Sequence, residues 1–133
     1  MDVWSDFLEI DDEIYNIPVL IGIKRNADFL DRYAERVDSG DLQRELIGVY
    51  FNYKSIKFTK QTDENYNEYN RLYNKLTEAE EFHTIKIANY TFTAYFSSVT
   101  DEMYAYKNGR PYFKNLTVNF TAKMPARSWL NEN

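Results

Sequence analysis

His83 is the sole histidine of the chain, and it stands in EAEEFHTIKI with Glu78, Glu80 and Glu81 just ahead of it. An imidazole among carboxylates can ligate a metal or serve as a general base oriented by an acid. The simpler reading is a histidine at the start of a strand, beside a solvated helix end. Asp11, Asp12 and Glu13 run together, and Asp38 and Asp41 flank Ser39-Gly40. Both groups invite calcium, yet neither follows the twelve-residue loop in which ligands recur at alternate positions around a glycine. Turn chemistry, in which Asp tolerates unusual backbone angles, accounts for both. Asp101-Glu102 could form a carboxylate pair for acid–base work, but no second partner across from them is visible. The pair reads instead as the start of a turn or short helix after the strand that carries Phe96.

The recurrent catalytic signatures are missing. The chain has no Gly-x-Gly-x-x-Gly, no phosphate-binding loop of the Walker type, no Gly-x-Ser-x-Gly and no His-Glu-x-x-His, and only four glycines with which to build a backbone cradle. No catalytic, metal-ligating or cofactor-binding residue is assigned, no cofactor is expected, and the protein is not expected to be an enzyme. Without cysteine it has no thiol nucleophile, no disulfide and no Cys-based zinc site, which suits an intracellular protein. The formal charge of −5, with basic residues scattered among acids, argues against a phosphate-binding surface and hence against nucleic acid. The N-terminal MDVWSDFLEIDDE lacks a basic segment followed by an apolar one, and the apolar run Ile17–Ile23 is far too short to span a bilayer, so a soluble protein is expected. The Asn-x-Thr triplets at Asn89, Asn115 and Asn119 are then by-products of Thr-rich strands.

The elements that must position these residues are mostly strands of a single domain, residues 1–133. Aromatics are 17% of the chain, so the core should be rich in rings. In NYTFTAYFSS the residues Tyr90, Phe92, Ala94 and Phe96 share one face; in NLTVNFTAKM, Leu116, Val118, Phe120 and Ala122 do the same. LIGVYFNYKSIKF places Ile47, Val49, Phe51 and Tyr53 opposite Leu46, Gly48 and Tyr50, the pattern of a central strand covered on both sides. FLEIDDEIYNIPV reads as two short strands around a tight turn at Asp11-Asp12, with Pro18 at an edge or bend. Lys107-Asn108-Gly109-Arg110 carries the Asn-Gly pair of a two-residue hairpin turn. One stretch has helical spacing: over 62–76, Tyr66, Tyr69, Leu72, Tyr73 and Leu76 recur every three or four residues, with Thr62 or Asp63 as cap. The class expected is mainly β, α+β by content: an antiparallel β-sandwich or split barrel with one flanking helix.

DRYAERVDSGDLQRE, residues 31–45, holds five carboxylates and three of the seven arginines between two apolar runs. As a helix, Phe29, Leu30, Tyr33, Ala34 and Val37 would make a fair stripe. As a hairpin, Asp38-Ser39-Gly40-Asp41 supplies the turn and the flanks run directly into the apolar strands on either side. The hairpin is favoured, as a protruding arm over about 28–46 whose outer half is charged. Such an arm suits contact with another subunit better than catalysis, which needs a concave, partly desolvated site. Arg32, Tyr33, Glu35, Arg36, Asp38, Asp41 and Arg44 are the expected interface residues.

The strings IGIKRNADFLDRYAERVDSGDLQRELIGVYFNY, YTFTAYFSSV and YFKNLTVNFTAKMPAR resemble a family of small, uncharacterised proteins encoded in tail modules of siphophages and prophages of Gram-positive bacteria. The likeness extends from about Phe7 to Arg127 and rests on Lys24-Arg25, on Arg44-Glu45-Leu46-Ile47-Gly48 before an aromatic-Asn-Tyr ending, on Leu116-Thr117-Val118-Asn119-Phe120, and on Pro125-Ala126-Arg127. None is a catalytic signature. The order of elements is also similar to the tail-tube-like fold, in which a long hairpin reaches an adjacent subunit or ring. The resemblance implies a virion structural or assembly protein of a phage tail, forming a homo-oligomeric ring for which a hexamer is the suggested size. Its partners would be other tail proteins, and it would lie in the bacterial cytoplasm during assembly and then in the virion tail. Two readings stand beside it: a small ligand- or carbohydrate-binding β-sandwich, suggested by the 12 tyrosines, and a hydrolase using Asp101, Glu102 or the His83 cluster.

Overall fold

The computed structural model describes residues 4–20, 22–36, 40 and 42–128, with the backbone alone at 32–36 and 42–44. The fold is mainly β and antiparallel, with one helix. β1 (Leu8–Ile10) and β2 (Glu13–Tyr15) form a hairpin, β3 (Lys24–Arg36) and β4 (Leu42–Lys57) a second and much longer one. After α1 (Tyr66–Leu76) come β5 (His83–Ile87), β6 (Tyr90–Lys107) and β7 (Arg110–Ala122), and β8 (Arg127–Ser128) adds a short rung to β4. The strand order is β2-β1-β5-β6-β7-β4-β3.

Past β2 the chain crosses to the opposite side of this order. Val19 bridges Phe58, the Leu20 amide donates to the Lys57 carbonyl at 2.9 Å, and the Thr59 amide donates to Pro18 at 2.8 Å. The sheet therefore curls back on itself through residues 13–20, which makes a barrel-like core and leaves β3 as an edge. Pro18 sits where only its carbonyl is required, in keeping with its lack of an N–H.

Period-two patterning explains what fills the interior. Ile85 and Ile87 of β5, Phe92 and Ala94 of β6, and Leu116, Val118, Phe120 and Ala122 of β7 are buried together with Tyr53, Ile56 and Phe58. α1 adds Tyr69, Leu72 and Leu76 from one stripe. The helix begins at Tyr66 and not at the expected Thr62. The Thr62 amide donates to Asn65 Oδ1 at 2.7 Å while the Asn65 amide meets Thr62 Oγ1, so these polar side chains capture the backbone in a turn before the first helical hydrogen bond forms.

A second correction concerns Asp101-Glu102, which neither ends the strand nor starts a helix. β6 runs on to Lys107, and register shifts between Ser97 and Ala105, with Ser98 at φ 55°, absorb the break in alternation as bulges. The turn at Asn108-Gly109 has φ of 55° and 74°, the positive values a two-residue hairpin requires. Gly48 serves a different need. A Cβ there would come within 2.8 Å of the Arg127 carbonyl and of the Pro125 ring, so its absence lets the C-terminal segment lie against β4.

Candidate functional site

The β3–β4 hairpin has two parts. From Lys24↔Lys54 to Leu30↔Gly48 it is paired in continuous register, and Val49 and Tyr53 reach buried surroundings. Beyond that the register slips twice: Ile47 is extra on β4 between Leu30↔Gly48 and Asp31↔Leu46, and Arg32 is extra on β3 before Tyr33↔Glu45. These two bulges compensate one another and should sharpen the local twist. Tyr33↔Glu45, Ala34↔Arg44, Glu35↔Gln43 and Arg36↔Leu42 then continue the pairing, and among the described residues no other strand pairs with these rungs. Strand backbone runs through Phe29, Leu30, Tyr33 and Ala34, for which a helix was the alternative, while Val37 lies outside the described residues.

Of the expected interface residues, Arg32, Tyr33, Glu35, Arg36 and Arg44 lie on this backbone, while Asp38 and Asp41 fall outside the described residues. At the root of the arm, Phe29 (59% exposed), Leu30 (46%) and Ile47 (38%) present apolar surface. β3 is the last strand of the order, so along 13 residues one row of its backbone donors and acceptors faces away from β4.

His83 is brought to a partner that the sequence does not suggest. It is 4% exposed, its ring stacks on Phe96 with centroids 4.6 Å apart, and Nδ1 lies 2.7 Å from Asp11 Oδ2. Facing a carboxylate, that nitrogen carries the proton. Asp11 Oδ1 accepts from the Thr84 amide at 2.9 Å, and Lys75 Nζ stands 3.7 Å from Asp11 and 3.3 Å from Glu78. The β1–β2 turn, the end of α1 and the start of β5 are thereby tied at one point. Donor atoms of Asp11, Glu78 and His83 come within 4.8 Å of one another. The Lys75 ammonium already supplies the positive charge these two carboxylates need, so a metal would have to displace it. The acid-oriented base weighed from the sequence has the right geometry in His83–Asp11. Its imidazole, however, is buried against Phe96 and makes no other side-chain hydrogen bond among the described residues.

Asp101 and Glu102 do not act as a pair. Asp101 accepts from the Tyr69 hydroxyl at 3.1 Å, and burial pushes its carboxyl up, whereas Glu102 meets Lys114 at 3.8 Å. The former ties β6 to α1; the latter is an exposed cross-strand contact.

The Asp11 carboxyl has a testable signature. Burial works to raise its pKa, but the His83 hydrogen bond, the Thr84 amide and nearby Lys75 outweigh this and hold it below the usual carboxylate range. A lowered folded-state value means stability that is present above the unfolded value near 4 and is lost as pH falls through the folded value. Asn tolerates the positive φ at this position, so Asp11→Asn isolates the charge. We expect it to cost about 1 kcal/mol at pH 7, modest because the carboxylate is partly exposed, and less as the pH falls toward 2. Urea titrations of both proteins at the two pH values check this.

Comparison with protein-family models, with curated proteins and with solved structures finds no match. No helix among the described residues is long and apolar enough to cross a membrane.

Proposed function

We propose that this protein is a structural or assembly component of a phage tail, working by self-association and by contact with other tail proteins, with no catalytic step. The observation that carries the reading is the β3–β4 arm. Among the described residues its outer strands pair with no third strand, its root exposes Phe29, Leu30 and Ile47, and its sequence mixes acids with arginines. A long two-stranded hairpin needs a further surface to pack on, since an isolated hairpin is marginal in water. Docking on a second subunit would cover the apolar root and set the charged outer half against that subunit. The tail setting comes from the resemblance of residues 7–127, and the ring, the cytoplasmic assembly stage and the place in the virion go with it.

Exposed ion pairs contribute only about 0–1 kcal/mol each, so the charges of the arm serve docking specificity more than stability. Reversing two of them, Arg36→Glu with Arg44→Glu, should leave a folded monomer by circular dichroism while lowering the mass seen in light scattering. If the double variant assembled as the parent does, the arm would be a solvated tip and the reading would lose its support.

A further inference from the structure

One face of the arm root combines rings with arginines. In the register of β3, β4 and β8, Arg25, Ala27 and Phe29 lie beside Tyr53, Phe51 and Val49, and Arg127 lies beside Val49 on the other flank. The Arg25 and Arg127 guanidiniums stand 5.5 and 5.3 Å from the centroid of the Phe51 ring. They are therefore within about 11 Å of each other.

Two hollows open on this face. One, of about 580 Å³, is lined by Trp4, Phe7, Tyr53 and Tyr90 with Arg25; the other, of about 350 Å³, by Phe29, Val49 and Phe51 with Arg127. Tyr90 packs edge-on against Phe51 at 5.7 Å and stacks on Phe92 at 5.1 Å, and Tyr53 stacks on Phe92 at 5.5 Å, so the floor is a continuous set of rings. Burial raises the Tyr53 and Tyr90 phenols, with Arg25 and Arg127 respectively pulling the other way, so each guanidinium lies near one neutral hydroxyl.

The chain holds 21 acids against 16 cations, and several cations elsewhere find carboxylates: Lys54 with Asp28, Arg71 with Glu68 and Glu13, Lys75 with Asp11 and Glu78. No carboxylate among the described residues pairs with Arg25 or Arg127. Lys60, Arg110 and Lys123 also rest on rings, but each on a ring of its own; Phe51 alone among the described residues carries two guanidiniums.

We propose that this face is a binding site for an oxyanion, a carboxylate or a phosphate, carried on an aromatic or apolar body. The guanidinium fork matches either oxyanion in two hydrogen bonds, and both pairings are stronger when ring surface excludes water. The body of the ligand lies on Trp4 or Tyr90, and its negative charge meets the guanidiniums. The proposal does not rest on the arm's role in assembly, although Phe29 belongs to both surfaces.

NMR titration of the isotopically labelled full chain tests it with four probes: benzoate, phenyl phosphate, uncharged benzamide and inorganic phosphate. Benzoate or phenyl phosphate should shift the Arg25 and Arg127 side-chain resonances and the Trp4 indole saturably, and comparison of the two separates carboxylate from phosphate. Benzamide and inorganic phosphate should each bind at least about tenfold more weakly, because each lacks one half of the recognition. Arg25→Ala and Arg127→Ala should each weaken the favoured probe by a similar factor, and both arginines are exposed, so the fold survives. Equal binding of benzamide, no saturable shift with either anionic aromatic, or unchanged affinity in both variants overturns the proposal.

Discussion

Gln61→Leu should lower the unfolding free energy by about 3 kcal/mol, although the two side chains are close in volume. Gln61 is fully buried. Its Nε2 donates to the Tyr66 carbonyl at 3.1 Å and to Asn70 Oδ1 at 3.0 Å, and its Oε1 accepts from the Phe113 amide at 3.1 Å. The backbone of the same residue donates to the Phe113 carbonyl at 2.9 Å and accepts from the Tyr104 hydroxyl at 2.6 Å. One residue thus fastens the exit of β4 to the first turn of α1 and to β7. Leucine leaves the Phe113 amide and the Asn70 amide oxygen without their partner, and an unsatisfied buried polar group costs about 1–3 kcal/mol. For a domain of this length that is a fall of roughly 10 °C in melting temperature. A loss below about 1 kcal/mol in a urea titration would mean that water replaces the amide, and the fastening role would be wrong.

How far the sequence discloses this molecule differs from element to element. β6 before Ser97 and β7 after Asn115 are legible because each has one face on the core, so alternation maps directly onto burial. The two turns that need positive φ are legible for a local reason, Asp11-Asp12 and Asn108-Gly109 being residue types that accept it. The helix start and the continuation of β6 through Asp101 are not. In both places a local polar contact or a bulge, decided by geometry and not by pattern, redirects the chain. Gln61 gives no signal, since a glutamine in KFTKQTD looks solvated until α1 and β7 close over it.

The candidate sites divide in the same way. That 31–45 is a charged segment between two apolar strands can be read from the residues in order. The pairing of His83 with Asp11 joins positions 72 apart, and the convergence of Arg25 and Arg127 on Phe51 depends on β8 returning to β4 over Gly48. Contacts of that range have no imprint in spacing. The Lys24-Arg25 and Pro125-Ala126-Arg127 strings stand out in the sequence, but nothing there says that their arginines meet.

The larger effect on assembly should come from removing the arm. Leu30 and Gly48 are already opposite one another, so replacing residues 31–47 by Asn-Gly turns that pair into the flanks of a two-residue hairpin loop. The excision takes away both bulges and the charged outer strands, and leaves Phe29, Val49 and Tyr53 in place with the core beyond them. The shortened protein should therefore stay folded, with near-parental stability, while losing the surface that the proposal assigns to docking. Mass measured by light scattering on the parent and the excised protein, over the same concentration range, is the most direct test. The proposed role predicts a multi-subunit parent and a folded, monomeric excised form. A parent that remains strictly monomeric at high concentration, or an excised form that assembles as the parent does, would contradict it.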